Sequence, residues 1–234
     1  MELLLKNIMY KKIYLIFLFS IYGYSTDISQ YVAKYEFSSE EITIVGTRKF
    51  SQLSNSYEME FKASNLIANM LFSSKFRIDN DQVLSDSYKI KIRPKFLNRD
   101  QSIEFDYSNK IIKSTGQTEW SEGFLSDSFV VDPLNAQIMI RKFAKDGTKK
   151  FNLNVINMQR GGFKEYTYQL KSRQNCNFNK QLLNCVHIQR TRNDSKRIVN
   201  YFLAEELDFM FIKIIDSSPS RTNTLSLKEI LSFG

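Results

Sequence analysis

Apolar and polar residues alternate in short runs along most of this chain. Ile42 and Ile44 stand two apart, as do Tyr57, Met59 and Phe61, then Tyr88, Ile90 and Ile92, then Ile103, Phe105 and Tyr107. The pattern resumes in Phe151, Leu153 and Val155, in Tyr166, Tyr168 and Leu170, in Val186 and Ile188, and in Val199, Tyr201 and Leu203. Side chains two apart share one face of a strand, so each run predicts a strand with one buried and one wet face. Turn residues separate the runs at Asn80-Asp81, Asn98-Arg99-Asp100, Ser108-Asn109, Gly161-Gly162 and Asn193-Asp194. Connections this short join antiparallel neighbours.

The stretch Asp132–Lys145 has a different period. Asp132 is placed to cap a helix, and Pro133 sits at the first helical position, where a missing N–H is harmless. Leu134, Ala136, Ile138, Met139, Ile140 and Phe143 form a broad apolar face. Lys142 and Lys145 suit the negative end of the helix dipole, and Gly147 stops the helix. Many one-sided strands and a single helix predict a mainly β fold: one long curled antiparallel sheet, a barrel or half-barrel, with one covering helix.

Two runs are apolar on every side. Phe209–Ile215 reads as a central strand buried on both faces, broken only by Lys213. Leu66–Phe72 has two readings, a core segment or an apolar lip at a cavity mouth carrying Leu66, Met70 and Phe72, and the core reading is preferred.

Residues 1–25 hold Lys6, Lys11 and Lys12, then an apolar run too short to span a bilayer, then Gly23 and Ser25 before Thr26. That is the pattern of a cleaved secretory signal peptide, an uncleaved N-terminal anchor being the alternative. Residues 26–234 are then a single β-rich domain facing a periplasmic or extracellular compartment. Without residues 1–25, which hold three lysines and one glutamate, the formal charge falls from +8 to +6. This excess is spread along the chain. The one dense basic cluster, Arg190, Arg192, Lys196 and Arg197, flanks a predicted hairpin turn and needs no nucleic acid. Charge alone would support only weak, peripheral contact with an anionic membrane. Cys176 and Cys185 flank Asn177–Asn184, which reads as a loop between antiparallel strands, so a disulfide across its base is expected, two free thiols being the alternative.

No catalytic set stands out. The single histidine, His187, lies between Val186 and Ile188 on a strand and has no second histidine to build a metal site with. There is no Gly-rich phosphate loop, and Glu40-Glu41 and Glu205-Glu206 sit at strand ends as solvated charge. Trp120 and Phe124 read as loop aromatics packing on the helix, and Arg141 as half of a structural ion pair. The expectation is a protein that is not an enzyme, with no cofactor and no metal.

The order of features resembles the envelope family known as domain of unknown function 3108, from about Tyr31 to Leu227. The residues that carry the resemblance are Ile44-Val45-Gly46, Ile90–Pro94 with Phe96, Ile103–Tyr107, Asp132-Pro133-Leu134, Val186–Arg192 with Ile198–Ala204, and Leu207–Ile214. This chain has fewer glycines and prolines than the family pattern and more asparagines at its turns. The resemblance implies a secreted or periplasmic Gram-negative protein, mostly β, with no settled activity. The architecture also looks like the open barrels of lipoprotein carriers, an analogy of fold that carries no function by itself. From the residues, Phe61, Ile90, Phe105, Ile138, Phe143 and Tyr168 are expected to line one apolar cavity for a hydrophobic or lipidic ligand or a lipidated protein segment. The alternative is an assembly or structural factor that binds a partner through a sheet edge. The oligomeric state is not legible from the sequence.

Overall fold

In a computed structural model that describes residues 28–66, 68–94, 99–124 and 129–234, fifteen strands form one continuous sheet. In chain order they are β1 Tyr31–Ser38, β2 Thr43–Leu53, β3 Ser56–Ser64, β4 Ala68–Asp79, β5 Gln82–Pro94, β6 Arg99–Asp106, β7 Ile111–Gly116, β8 Trp120–Gly123 and β9 Val130–Val131. After the helix α1, Ala136–Lys145, come β10 Lys150–Ile156, β11 Phe163–Phe178, β12 Gln181–Arg192, β13 Ser195–Ala204, β14 Met210–Ser218 and β15 Arg221–Phe233. The predicted signal segment, Ile67 and Phe96 lie outside the described residues.

The sheet is a meander with one crossover. β1 through β8 follow in order, and so do β10 through β15, while β1 pairs with β15 to join the two halves. Every pairing is antiparallel except β9 with β10, which the helix connects as a parallel pair. Strands this numerous and twisted curl on themselves. The two ends of the sheet meet through side chains instead of a ladder. Ser85 Oγ of β5 donates to the Val130 carbonyl of β9, and Gln101 Nε2 of β6 and Trp120 Nε1 of β8 both donate to the carbonyl of Met158, just past β10. Trp120, which the sequence reading placed in a loop, is in β8 and helps to close the curl. Phe124 stands edge-on to Tyr107.

Hairpin turns follow the asparagines. Asn80-Asp81 and Asn179-Lys180 both have positive φ at two successive residues, the geometry of a tight two-residue turn matched to strand twist. The second of these shortens the expected loop 177–184 to a turn, so β11 and β12 run on past the cysteines. Cys176 and Cys185 are disulfide-bonded across that hairpin, with Cα atoms 5.8 Å apart.

The helix lies inside the curl, buried on nearly every side. Asp132 does not cap α1 directly, because a turn at 133–135 precedes it. Its Oδ1 instead accepts the N–H groups of Leu134 and Asn135, while its carbonyl accepts that of Ala136. At the other end Gly147, with φ +71°, donates to Ala144 while Thr148 donates to Phe143, a Schellman ending. Polar side chains fasten the plug. Asp132 Oδ2 accepts from Ser74 Oγ of β4 at 2.6 Å, and Asn135 Nδ2 donates to Ser85 Oγ at 2.8 Å. Arg141 donates to the carbonyls of Ser29 and Asp208, and Lys142 and Lys145 pair with Asp81 and Asp208.

Burial is the largest influence on the Asp132 carboxyl and pushes it up to about 7, against the three hydrogen bonds that favour its ionised form. Burial also acts to raise Asp208, but the hydrogen bonds from Lys145 and Ser29 and the charge of Arg141 outweigh it and hold this carboxyl below its ordinary value.

Candidate functional site

Inward positions of this sheet are mostly apolar, and the exceptions mark where the interior does something specific. In β2 the inward set is Ile44, Gly46, Arg48 and Phe50. Arg48 is 1% exposed, on the wall facing the start of the helix. Its Nη2 donates to Gln137 Oε1 of α1 and lies 4.0 Å from Met59 Sδ. Its guanidinium stacks near the rings of Tyr35 and Phe211, at 5.4 and 5.7 Å. No carboxylate pairs with it among the described residues, and its Nε and Nη1 are buried without an acceptor. A cation–π contact contributes ~0.5–2 kcal/mol, whereas stripping an ion of water costs on the order of several kcal/mol. Two rings and one amide oxygen do not offset that cost.

Beside Arg48 is a half-open cavity of about 350 Å³ between the sheet and the N-terminal turn of the helix. Phe61, Phe72, Tyr88, Leu134, Ile214 and Leu225 supply its apolar wall. Gly46 makes room for this wall: a Cβ there would lie 2.6 Å from Phe61 Cζ and 2.6 Å from the Lys62 carbonyl oxygen. Asp216 is also on the rim, but its carboxylate is held by Arg197. The N-terminal turn of the helix, on the same wall, already satisfies its leading N–H groups through Asp132. Arg48 is therefore the buried charged group of this cavity with bonding capacity left over.

The residues expected to share one cavity are dispersed. Phe61 lines the Arg48 cavity, whereas Ile90 borders a small cleft near Met158 and Phe105 a shallow surface hollow beside Tyr107. Ile138 is 0% exposed and borders none of these spaces, the sheet closing tightly on the middle of the helix. Phe143 borders a second space of about 490 Å³ at the other end of the helix, whose walls mix apolar residues such as Phe129, Val131 and Met139 with polar ones such as Asn80, Asn152 and Glu165. Tyr168 stacks on Phe151, which stacks on Phe143, so it is core. The preferred core reading of Leu66–Phe72 gives way as well: Leu66 is 93% exposed, Met70 and Leu71 are half-buried, and only Phe72 reaches the Arg48 cavity.

Met210–Ile215 lies in β14, with Phe209 in the turn before it, and burial on both faces is limited to Met210–Ile212. His187 contacts Asn200 Oδ1 at 2.9 Å and stacks on Phe202, an ordinary sheet-face histidine. Arg192 and Arg197 pair with Asp194 and Asp216, and Arg190 lies over the Tyr166 ring.

The sequence reading missed Arg48, Gln137 and Leu225. The signal for Arg48 was present, because the alternation from Ile42 and Ile44 carries on through Gly46 and places a charged side chain inward. No such signal existed for Gln137 or Leu225, whose neighbours across the cavity come from distant parts of the chain.

No family model matches this chain, and no curated protein matches it. The resemblance to domain 3108 thus has no support from those comparisons. A solved structure described as the β-barrel-like protein of domain of unknown function DUF1849 from Brucella abortus is similar over 88% of this chain and 99% of that one, with a TM-score of 0.59 and 11% identity. At that identity the likeness establishes the β-barrel-like fold alone.

Proposed function

We propose that the protein binds a hydrophobic or lipidic molecule, or the lipid-modified segment of another protein, in the cavity between Phe61, Phe72, Leu134 and Leu225. The observation that carries this reading is an apolar, half-open space beside a buried arginine that has unused donors. Ligand sites are concave, mainly apolar and furnished with a few placed polar groups, and about 300–1,000 Å³ is usual. This space is at the small end of that range. We place the protein in the periplasm or outside the cell on the strength of residues 1–25 and the Cys176–Cys185 bridge, and read it as a binding protein and not an enzyme. Affiliation with domain 3108 belongs to the same reading. The sheet-edge alternative is weaker, because the terminal strands β8 and β9 have only four and two residues and offer little backbone to a partner.

The test is binding of a fluorescent undecanoic acid derivative. Wild type should bind it, and Phe61→Trp and Leu134→Trp, which fill the space, should abolish binding while the fold persists by circular dichroism. Phe143→Trp, at the other end of the helix, should bind like wild type. Retained binding in both cavity-filling variants would place the probe elsewhere.

A further inference from the structure

We infer that the ligand is a single-chain amphiphile with an anionic head, and that Arg48 is the residue that binds the head. This rests on the cavity reading above and adds the chemistry of the occupant. Three observations converge. Arg48 is buried to 1% exposure on the wall of an apolar cavity, and its Nε and Nη1 have no acceptor. Nothing among the described residues supplies a counter-charge: the one carboxylate on the rim, Asp216, is engaged by Arg197. The cavity, about 350 Å³, is at the small end for a ligand site and matches one alkyl chain better than several.

A guanidinium is always charged and presents rigid N–H donors that match carboxylate and phosphate oxygens. In a water-poor wall, such donors favour an anion far more than a neutral head of the same size. The Gln137 amide, which accepts from Nη2, steadies the guanidinium without neutralising it. An alkyl chain lying between Phe61, Phe72 and Leu225 would have its head within reach of Arg48 on the same wall. A fatty acid and a monoalkyl phosphate share this chemistry.

The experiment compares binding of dodecanoate, dodecyl phosphate and dodecanol, each kept monomeric, to wild-type protein by calorimetry. Wild type should bind at least one of the two anions tenfold or more tightly than the alcohol, and the ratio between the anions tells which head the site takes. Arg48→Met should bring the anion-to-alcohol ratio close to one. Should Arg48→Met fail to fold, Gln137→Glu serves instead, because a carboxylate beside Arg48 supplies an internal counter-charge and should cut anion affinity at least tenfold. Equal binding of anion and alcohol by wild type, or a preference that survives these substitutions, overturns the inference and leaves the apolar cavity reading standing. Binding of none of the three overturns both.

Discussion

Asp132, at the entrance to the helix, accepts a 2.6 Å hydrogen bond from Ser74 of β4, and both side chains are fully buried. Through Asn135 and Ser85 the same network continues to the Val130 carbonyl. A chain of short polar side chains thus locks the plug to the wall and to the strand that closes the curl.

That network predicts a pH dependence. The Asp132 carboxyl moves from 3.8 to about 7 on folding, so the folded state binds the extra proton between those values. Its contribution to stability is fully present below about 4 and is lost as pH rises through about 7. Asp132→Asn, in which Ser74 can turn to accept, should flatten that part of a stability-versus-pH curve from urea unfolding. Asp208 works in the opposite sense: its depressed value gives stability present above 3.8 that disappears as pH falls through the folded value. An Asp132→Asn profile as steep as wild type between pH 4 and 7 would contradict the assignment.

Gly46→Ala addresses the cavity wall. Its Cβ would collide with Phe61 and with the Lys62 carbonyl, and only the ring can yield. Overpacking of this kind costs ~1–3 kcal/mol. The displaced ring should also enter the binding space, so probe affinity should fall along with stability. A variant that melts like wild type and binds like wild type would show that the wall is looser than described.

Arg141→Met removes the fastening at the other end of the helix. Its guanidinium bonds the carbonyls of Ser29 and Asp208 and stacks near Tyr31 and Phe50. Losing one member of a buried charged pair costs about 3–5 kcal/mol. Here Lys145 still neutralises Asp208, so the lower part of that range is expected from denaturant unfolding.

Denatured, unreduced protein should show no titratable thiol, and two thiols per chain would refute the Cys176–Cys185 bridge. Closing so short a loop contributes ~2.5 kcal/mol on the chain-entropy model. Reduction should lower the free energy of unfolding by that order and leave probe binding unchanged, since neither cysteine lines the cavity.

Alternation along the chain was enough to specify the β class, most of the strands and several of the turns. A strand with one buried face writes its geometry into every second residue, and the positive-φ turn at Asn80-Asp81 uses residues suited to it. The helix was legible from its apolar face and Gly147, although it starts at Ala136 and Pro133 lies in the turn before it. Sequence reading passed over β1, despite Tyr31, Ala33 and Tyr35, and over β15, whose alternation fades toward an exposed end. It had no means of pairing those two strands, because residues about 190 positions apart come together only in the curled sheet. The cavity has the same origin. Inward residues could be named one by one, but which of them share a space depends on where the helix lodges, and it lodges tightly at Ile138 and loosely beside Leu134. Arg48 lay on an inward position all along. Only the tertiary structure decided that it would meet Gln137, two aromatic rings and an apolar space instead of a carboxylate.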